Sequence, residues 1–184
     1  MAYAGNHDLR SGEFEMMKQE TQRRGFSLVE LVIVVVIIGV IAAIAVPRIS
    51  RGARGAGESA LRGSLAGLRN AIDMFAAEHG GNWPAGWATN TEVELIRHLT
   101  EQTDASGTAG GNFGPYLRRG FPPVPVGPNA GTASGVIMSN AADLTTVIDE
   151  TTDDTKGWIY NYTTGEIIPN TDDNDEAGDP FSDY

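Results

Sequence analysis

The stretch Arg23-Arg24-Gly25-Phe26-Ser27-Leu28-Val29-Glu30 places two arginines and a glycine ahead of a run that stays apolar or glycine from Leu31 to Val46. Between Phe26 and Val46 only Ser27 and Glu30 break the apolar character. At about 1.5 Å per residue, a helix over this run is about 30 Å long, the thickness of a bilayer's hydrocarbon core. One membrane crossing is expected. A carboxylate in a spanning helix costs about 2.5 to 3.5 kcal/mol near the centre and less toward the edge. Glu30 therefore calls for a positive partner.

Three readings of the segment compete. A secretory signal has the small-x-small site Ala43-Ile44-Ala45 behind a basic and an apolar region, but it would leave Pro47 near the new terminus and Glu30 without purpose. An ordinary uncleaved anchor also leaves Glu30 unexplained. The third reading rests on Gly25-Phe26-Ser27-Leu28-Val29-Glu30-Leu31 and its apolar continuation to Pro47, which resembles, position by position, the class III signal of type IV pilins and type II secretion pseudopilins. The resemblance implies that a prepilin peptidase cuts between Gly25 and Phe26 and methylates the new amine on Phe26. It also implies filament assembly that depends on Glu30. The cleaved terminus is a cation, and a carboxylate on a neighbouring subunit is its complement; in a filament core of low dielectric, leaving either charge unpaired is expensive. Their pairing would select the stagger between subunits.

Membrane orientation is not decided by charge, because Arg10, Lys18, Arg23 and Arg24 before the span are nearly balanced by Arg48, Arg51 and Arg54 after it. The resemblance implies an amino terminus in the cytoplasm and a periplasmic head. A leader over residues 1–25 with Asp8, Glu13, Glu15 and Glu20 is longer and more acidic than those of the family, and a start at Met17 is expected instead. The expected division is a leader over 1–25, a transmembrane and filament-core helix over 26–47, an amphipathic stalk helix over 48–80 and a head over 81–184.

Charge separates along the chain. Residues 1–70 hold nine basic and six acidic side chains, whereas residues 71–184 hold four and eighteen. An acidic head repels phosphate, so nucleic acid is not an expected partner. With no cysteine, the head has neither a disulfide nor a thiolate metal site.

Leu61, Leu65, Leu68, Ile72 and Phe75 recur at spacings of four and three, one face of a helix running to about His79. Gly80-Gly81-Asn82-Trp83-Pro84 ends it. A second short helix is expected over 92–100 and a loop with little regular structure over 107–135. Strands are expected at Val136-Ile137-Met138, at Trp158–Tyr162 and at Ile167-Ile168, the last two forming a hairpin around Thr163-Thr164-Gly165-Glu166. The fold class is α+β, a long hydrophobic-then-amphipathic helix packed on one face of a small antiparallel sheet, as in pilins. Asn82-Trp83-Pro84, Pro115-Tyr116-Leu117 and the proline-rich 121–128 resemble, in order, features of the major pseudopilin of type II secretion.

The segment from Thr171 to Tyr184 carries Asp172, Asp173, Asp175, Glu176, Asp179 and Asp183 without a base. Such oxygen-rich clusters suit calcium, which the resemblance also implies near the carboxyl end, with Asp172, Asp173 and Asp175 as candidate ligands. The spacing fails the EF-hand pattern, since Ala177 falls where the turn glycine belongs in one register and Tyr184 where the bidentate acid belongs in the other. The alternative is a solvated acidic tail with no cofactor. His7, His79 and His98 are isolated in sequence and fit no hydrolase, metalloprotease or nucleotide-binding motif, so no enzymatic activity is expected. His79, near a helix end, is expected to meet free carbonyls. Asn161-Tyr162-Thr163 has the form of a glycosylation sequon, with strand pairing as the plainer role.

The expected function is that of a structural filament subunit, a type II secretion pseudopilin driving protein export. Its expected partners are further copies of itself, the prepilin peptidase, the inner-membrane assembly platform and other pseudopilins. The alternatives are a surface pilin for adhesion or motility and a membrane-anchored calcium-binding module without a filament.

Overall fold

The computed structural model describes residues 25–87 and 89–184. The leader, apart from Gly25, and the start expected at Met17 lie outside the described residues. Helix α1 spans Leu28–Glu78 and α2 spans Glu92–Thr100, followed by strands β1 (Gly135–Ser139), β2 (Lys156–Asn161) and β3 (Ile167–Pro169). By their internal contacts, residues up to Ile44 and residues from Ala45 onward form two separate units.

Leu28–Ala45, all but its last residue in the first unit, is a helical stretch long and apolar enough to cross a membrane, and none of it is buried. A helix that is apolar on every side has no face to turn toward a core of its own.

In the second unit the periodic stripe does find a core. Leu61, Leu65, Leu68, Ile72 and Phe75 are all buried, packed with Leu95 and Leu99 of α2, Val124 of the loop, Val136 of β1, Trp158 and Tyr160 of β2, and Ile167 of β3. The helical assignment runs through Gly52, Gly55, Gly57, Gly63 and Gly67. Each glycine lowers helix propensity by about 1 kcal/mol relative to alanine, so packing of the apolar stripe carries that part of α1. Helix α2 begins at Thr91, whose hydroxyl accepts from the Glu94 N–H at 3.3 Å.

The α+β class holds, but the sheet is mixed. β2 and β3 pair antiparallel, Ile159 opposite Ile168, as the hairpin pattern predicts. β1 and β2 instead run parallel, Ile137 opposite Ile159. Parallel neighbours need a long crossover, and residues 140–155 supply it. The expected small antiparallel sheet is thus mixed, and its second face is covered as well. Side chains alternate across a strand; Trp158 and Tyr160 face the main core, while Ile159 and Ile168 form a second cluster with Leu144, flanked by Ile137, Val147 and Ile148.

Loop backbone is held by short polar side chains in place of disulfides. Asp104, Asp143, Asp149, Asp153 and Asn161 each accept, on one side-chain oxygen, backbone N–H groups and a Ser or Thr hydroxyl within a few residues. Asn161 closes the hairpin turn in this way and gives its amide to Ala141 O at 2.8 Å. Its burial and full bonding fit the structural role rather than that of a glycan acceptor. Gly165 sits at φ 77°, where a Cβ would also lie 2.4 Å from the Trp83 ring. The Trp83 of the Asn-Trp-Pro element thus closes over the hairpin turn.

Candidate functional site

At the start of α1, Ser27 is the cap. Its hydroxyl accepts from the Val29 N–H at 3.3 Å, and the Glu30 carboxylate reaches back to accept from the Ser27 N–H at 3.1 Å. This reciprocal arrangement is a capping box, which satisfies donors that helix geometry otherwise leaves free. Its sequence signature is Ser-x-x-Glu directly before an apolar run, so Glu30 has a local partner as well as any intermolecular one. Only Oε2 is engaged; among the described residues Oε1 has no bond. The Gly25–Phe26 bond lies just outside this cap, and Phe26 is 85% exposed. That bond therefore precedes the first residue of the helix, outside its hydrogen-bonded turns.

The acidic segment near the end of the chain is not a free tail. Asn174 bridges Pro180, the Asp175 N–H donates to Asp179 O at 2.8 Å, and Phe181 is buried in the main core. Tyr184 donates its hydroxyl to Asp175 Oδ2 at 2.6 Å and accepts from Arg62 at 2.7 Å. Arg69 donates to Tyr184 O and to Ile167 O. The Tyr184 hydroxyl, joined by the Asp179 N–H, holds the Asp175 carboxyl below its ordinary range.

Of the candidate ligands, Asp173 and Asp175 line one cleft with Glu58 and Glu176. Asp172 is drawn elsewhere, its N–H donating to Glu150 Oε1 at 3.1 Å. Both oxygens of Asp175 are already bonded, Oδ1 to the N–H groups of Ala177 and Asp179 and Oδ2 to Tyr184. Among the described residues, no three acidic or histidine side chains converge as a metal requires. The Asp175 carboxylate is therefore committed first to its own segment.

The histidines set apart in sequence, His79 and His98, share a neighbour in the fold. His79 stacks on Phe75 at 3.8 Å between ring centroids and His98 stacks on it at 4.9 Å. His79 Nδ1 donates to Phe75 O at 2.7 Å, a carbonyl that already accepts the His79 N–H at 3.0 Å and so is not a free one, and its Nε2 accepts from Thr103. His98 Nδ1 accepts from the Ala85 N–H at 3.0 Å, and Nε2 lies 3.1 Å from Glu94. Burial pushes the His98 imidazole below its ordinary range, against the pull of Glu94. Every ring nitrogen is thereby taken up in holding α1, α2 and the loop together. Nearby, Tyr116 donates to Glu78. The backbone N–H groups of Tyr116 and Leu117 both reach Leu99 O, at 3.0 and 2.7 Å. The Pro-Tyr-Leu element is therefore a clamp on the end of α2.

Residues 21–46 match the prokaryotic N-terminal methylation motif. No curated protein and no solved structure matches the chain. The matched motif, lying across the Gly25–Phe26 bond and the capped start of an apolar helix, is a type IV pilin-like signal. Such a signal implies processing by a prepilin peptidase and assembly into a filament, the role of a structural subunit of pilin or pseudopilin type.

Proposed function

We propose that this chain is a type II secretion pseudopilin, cut between Gly25 and Phe26, methylated on Phe26 and polymerised from the inner membrane with its head in the periplasm to drive protein export. The observation that carries the filament reading is the placement of the Glu30 carboxylate within one helical turn of the Phe26 amine that cleavage would create. In the free chain Oε2 serves the Ser27 cap, which leaves Oε1 to a neighbour's terminal amine. One carboxylate can then hold its own helix start and bridge to the next subunit.

The choice of secretion over a surface pilus is supported by the ordered Asn-Trp-Pro, Pro-Tyr-Leu and proline-rich elements, each of which has structural work in the head. Trp83 packs against Gly165, Tyr116 and Leu117 clamp α2, and Pro122 O accepts from the Trp158 indole at 2.8 Å. The other partners of this reading are the assembly platform of the inner membrane and further pseudopilins of the same filament.

Mass spectrometry of the membrane-bound chain is expected to show an N-methylated Phe26 terminus. Glu30→Ala is expected to be processed normally and to yield no filaments by electron microscopy. Normal filament yield from that variant would sink the role given to Glu30. Long filaments outside the cell, with export of proteins unaffected by deletion of the chain, would replace the secretion reading with the pilus one.

A further inference from the structure

Residues 71–184 contain only four bases, Arg97, Arg118, Arg119 and Lys156, among eighteen acids. Arg97 pairs with Glu94, and Lys156 pairs with Glu92. Arg118 and Arg119 are exposed, and among the described residues neither makes an ion pair or a hydrogen bond. Two adjacent exposed cations without internal partners among the described residues leave a local positive patch on an otherwise acidic domain.

Their position in the second unit is specific. They border a shallow groove of about 490 Å³ whose floor is the flank of α1 formed by Ala60, Gly63, Ser64 and Gly67. Without long side chains on that flank, another surface can approach the helix closely. At about 3.6 residues per turn, Arg62, Ala66 and Arg69 lie about half a turn away on the other side of the buried stripe. That opposite flank is covered by Tyr184, which is tied to Asp175 of the acidic segment. Arg62 and Arg69 are consumed by Tyr184 there, and Arg54 lines the same cleft as Glu58 and Asp173. Asp173, Glu176 and Asp179 remain exposed.

We infer that the Arg118–Arg119 edge of one copy docks on the acidic segment around Asp173, Glu176 and Asp179 of a second copy. A patch on one side of the domain that fits a different patch on the other side makes a heterologous contact. Unless its rotation closes a ring, such a contact propagates without limit. The head would thus add a lateral, charge-directed contact to the one made through Glu30. This inference deepens the filament reading and rests on it for its setting, but it concerns separate residues.

The absence of cysteine makes a direct test clean. A full-length R119C/E176C chain, oxidised in membranes, is expected to give a disulfide-linked ladder of dimers, trimers and higher species. R119C and E176C chains mixed as single variants are expected to give dimers only, and neither single variant is expected to give dimers alone. In the cysteine pair carrying R118E, cross-linking is expected to fall about tenfold, since Arg118 then opposes the acidic edge, and to recover when D173K and D179K are added. All these side chains are exposed, and an unchanged melting midpoint of each variant excludes misfolding. Absence of the ladder, dimers from R119C alone, or failure of the second reversal to restore cross-linking would overturn the inference. Failure of the filament reading would appear separately, as a chain not cut at Phe26 or a Glu30→Ala variant that still forms filaments.

Discussion

Two stretches of one helix behave in opposite ways. In the first unit Ile37 is 52% exposed among neighbours that are apolar on every side; in the second Phe75, on the same helix, is fully buried. The stretch around Phe75 turns a single stripe inward and meets partners from α2, the loop and the sheet. The stretch around Ile37 is left exposed by the described residues, an apolar surface that a bilayer or other copies would take from water. One half of α1 is stabilised by its own domain. The other half is completed only by its surroundings, which is the condition for a subunit that passes from membrane to filament.

The sharpest way to break that comparison is at Glu30. Glu30→Gln keeps an oxygen that can accept from the Ser27 N–H but removes the charge, so the cap is retained while the attraction to a neighbour's amine is lost. Complete loss of filaments with unchanged membrane insertion and unchanged cleavage is expected, read by electron microscopy and by mass of the mature chain. Filaments at wild-type yield would leave the carboxylate with a local role alone.

A smaller but still large contrast is expected between Phe75→Ala and Ile37→Ala. Phe75 supports the stacked rings of His79 and His98, and its truncation is expected to destabilise the head by about 3–5 kcal/mol. Ile37→Ala is expected to leave the head's melting midpoint unchanged, because no residue of that domain depends on it. Thermal unfolding in detergent measures both.

Acidification separates the same two regions more gently, since the shifted groups all lie in the second unit. Burial holds His98 neutral with a depressed folded value, so its contribution is complete above about pH 6.5 and is lost as pH falls toward that folded value. Glu94, Arg97 and His79 are the charged or titratable groups facing it. The carboxyls of Asp104, Asp143, Asp149, Asp153 and Asp175 are depressed chiefly by hydroxyl hydrogen bonds, from Ser106, Thr145, Thr152, Thr155 and Tyr184 respectively. Their contribution is complete above about pH 4 and is lost below it. The head's melting midpoint is expected to be flat above about pH 7 and to fall in two stages on acidification. His98→Gln is expected to remove the first stage and leave the second.

The smallest expected effect is that of calcium. Because no three acidic or histidine side chains converge among the described residues, melting with calcium and with chelator is expected to give equal midpoints. A clear rise with calcium would mean that Asp175 exchanges its internal bonds for the ion.

Much of this could be read along the chain. The bounds of α2, the end of α1 beside His79 and the β2–β3 hairpin all follow from local signals: the Thr91 cap, the Gly80-Gly81 stop, and Asn161 with Gly165 at the turn. The capping role of Glu30 is equally local, since the Ser27-x-x-Glu30 spacing alone carries it. The parallel pairing of β1 with β2 was not legible, since nothing in Val136-Ile137-Met138 records the direction of a neighbour brought close by residues 140–155. The covering of the second sheet face by Leu144 was hidden for the same reason. So was the convergence of His79 and His98 on Phe75, and that of Tyr184 on Arg62 and Arg69.

The sequence by itself determined the membrane-length apolar helix, the methylation motif over residues 21–46 with its carboxylate at Glu30, and the acidity of the head. Each depends on residues adjacent in the chain or on composition, and neither changes on folding. Only the tertiary structure decided that the acidic segment is tied down by Phe181 and Tyr184, that Asp175 spends its oxygens on its own loop, and that Arg118 and Arg119, unpaired among the described residues, stand across the helix from it. Those facts depend on which distant groups share a neighbourhood, and that is set by how the apolar stripe of α1 is buried.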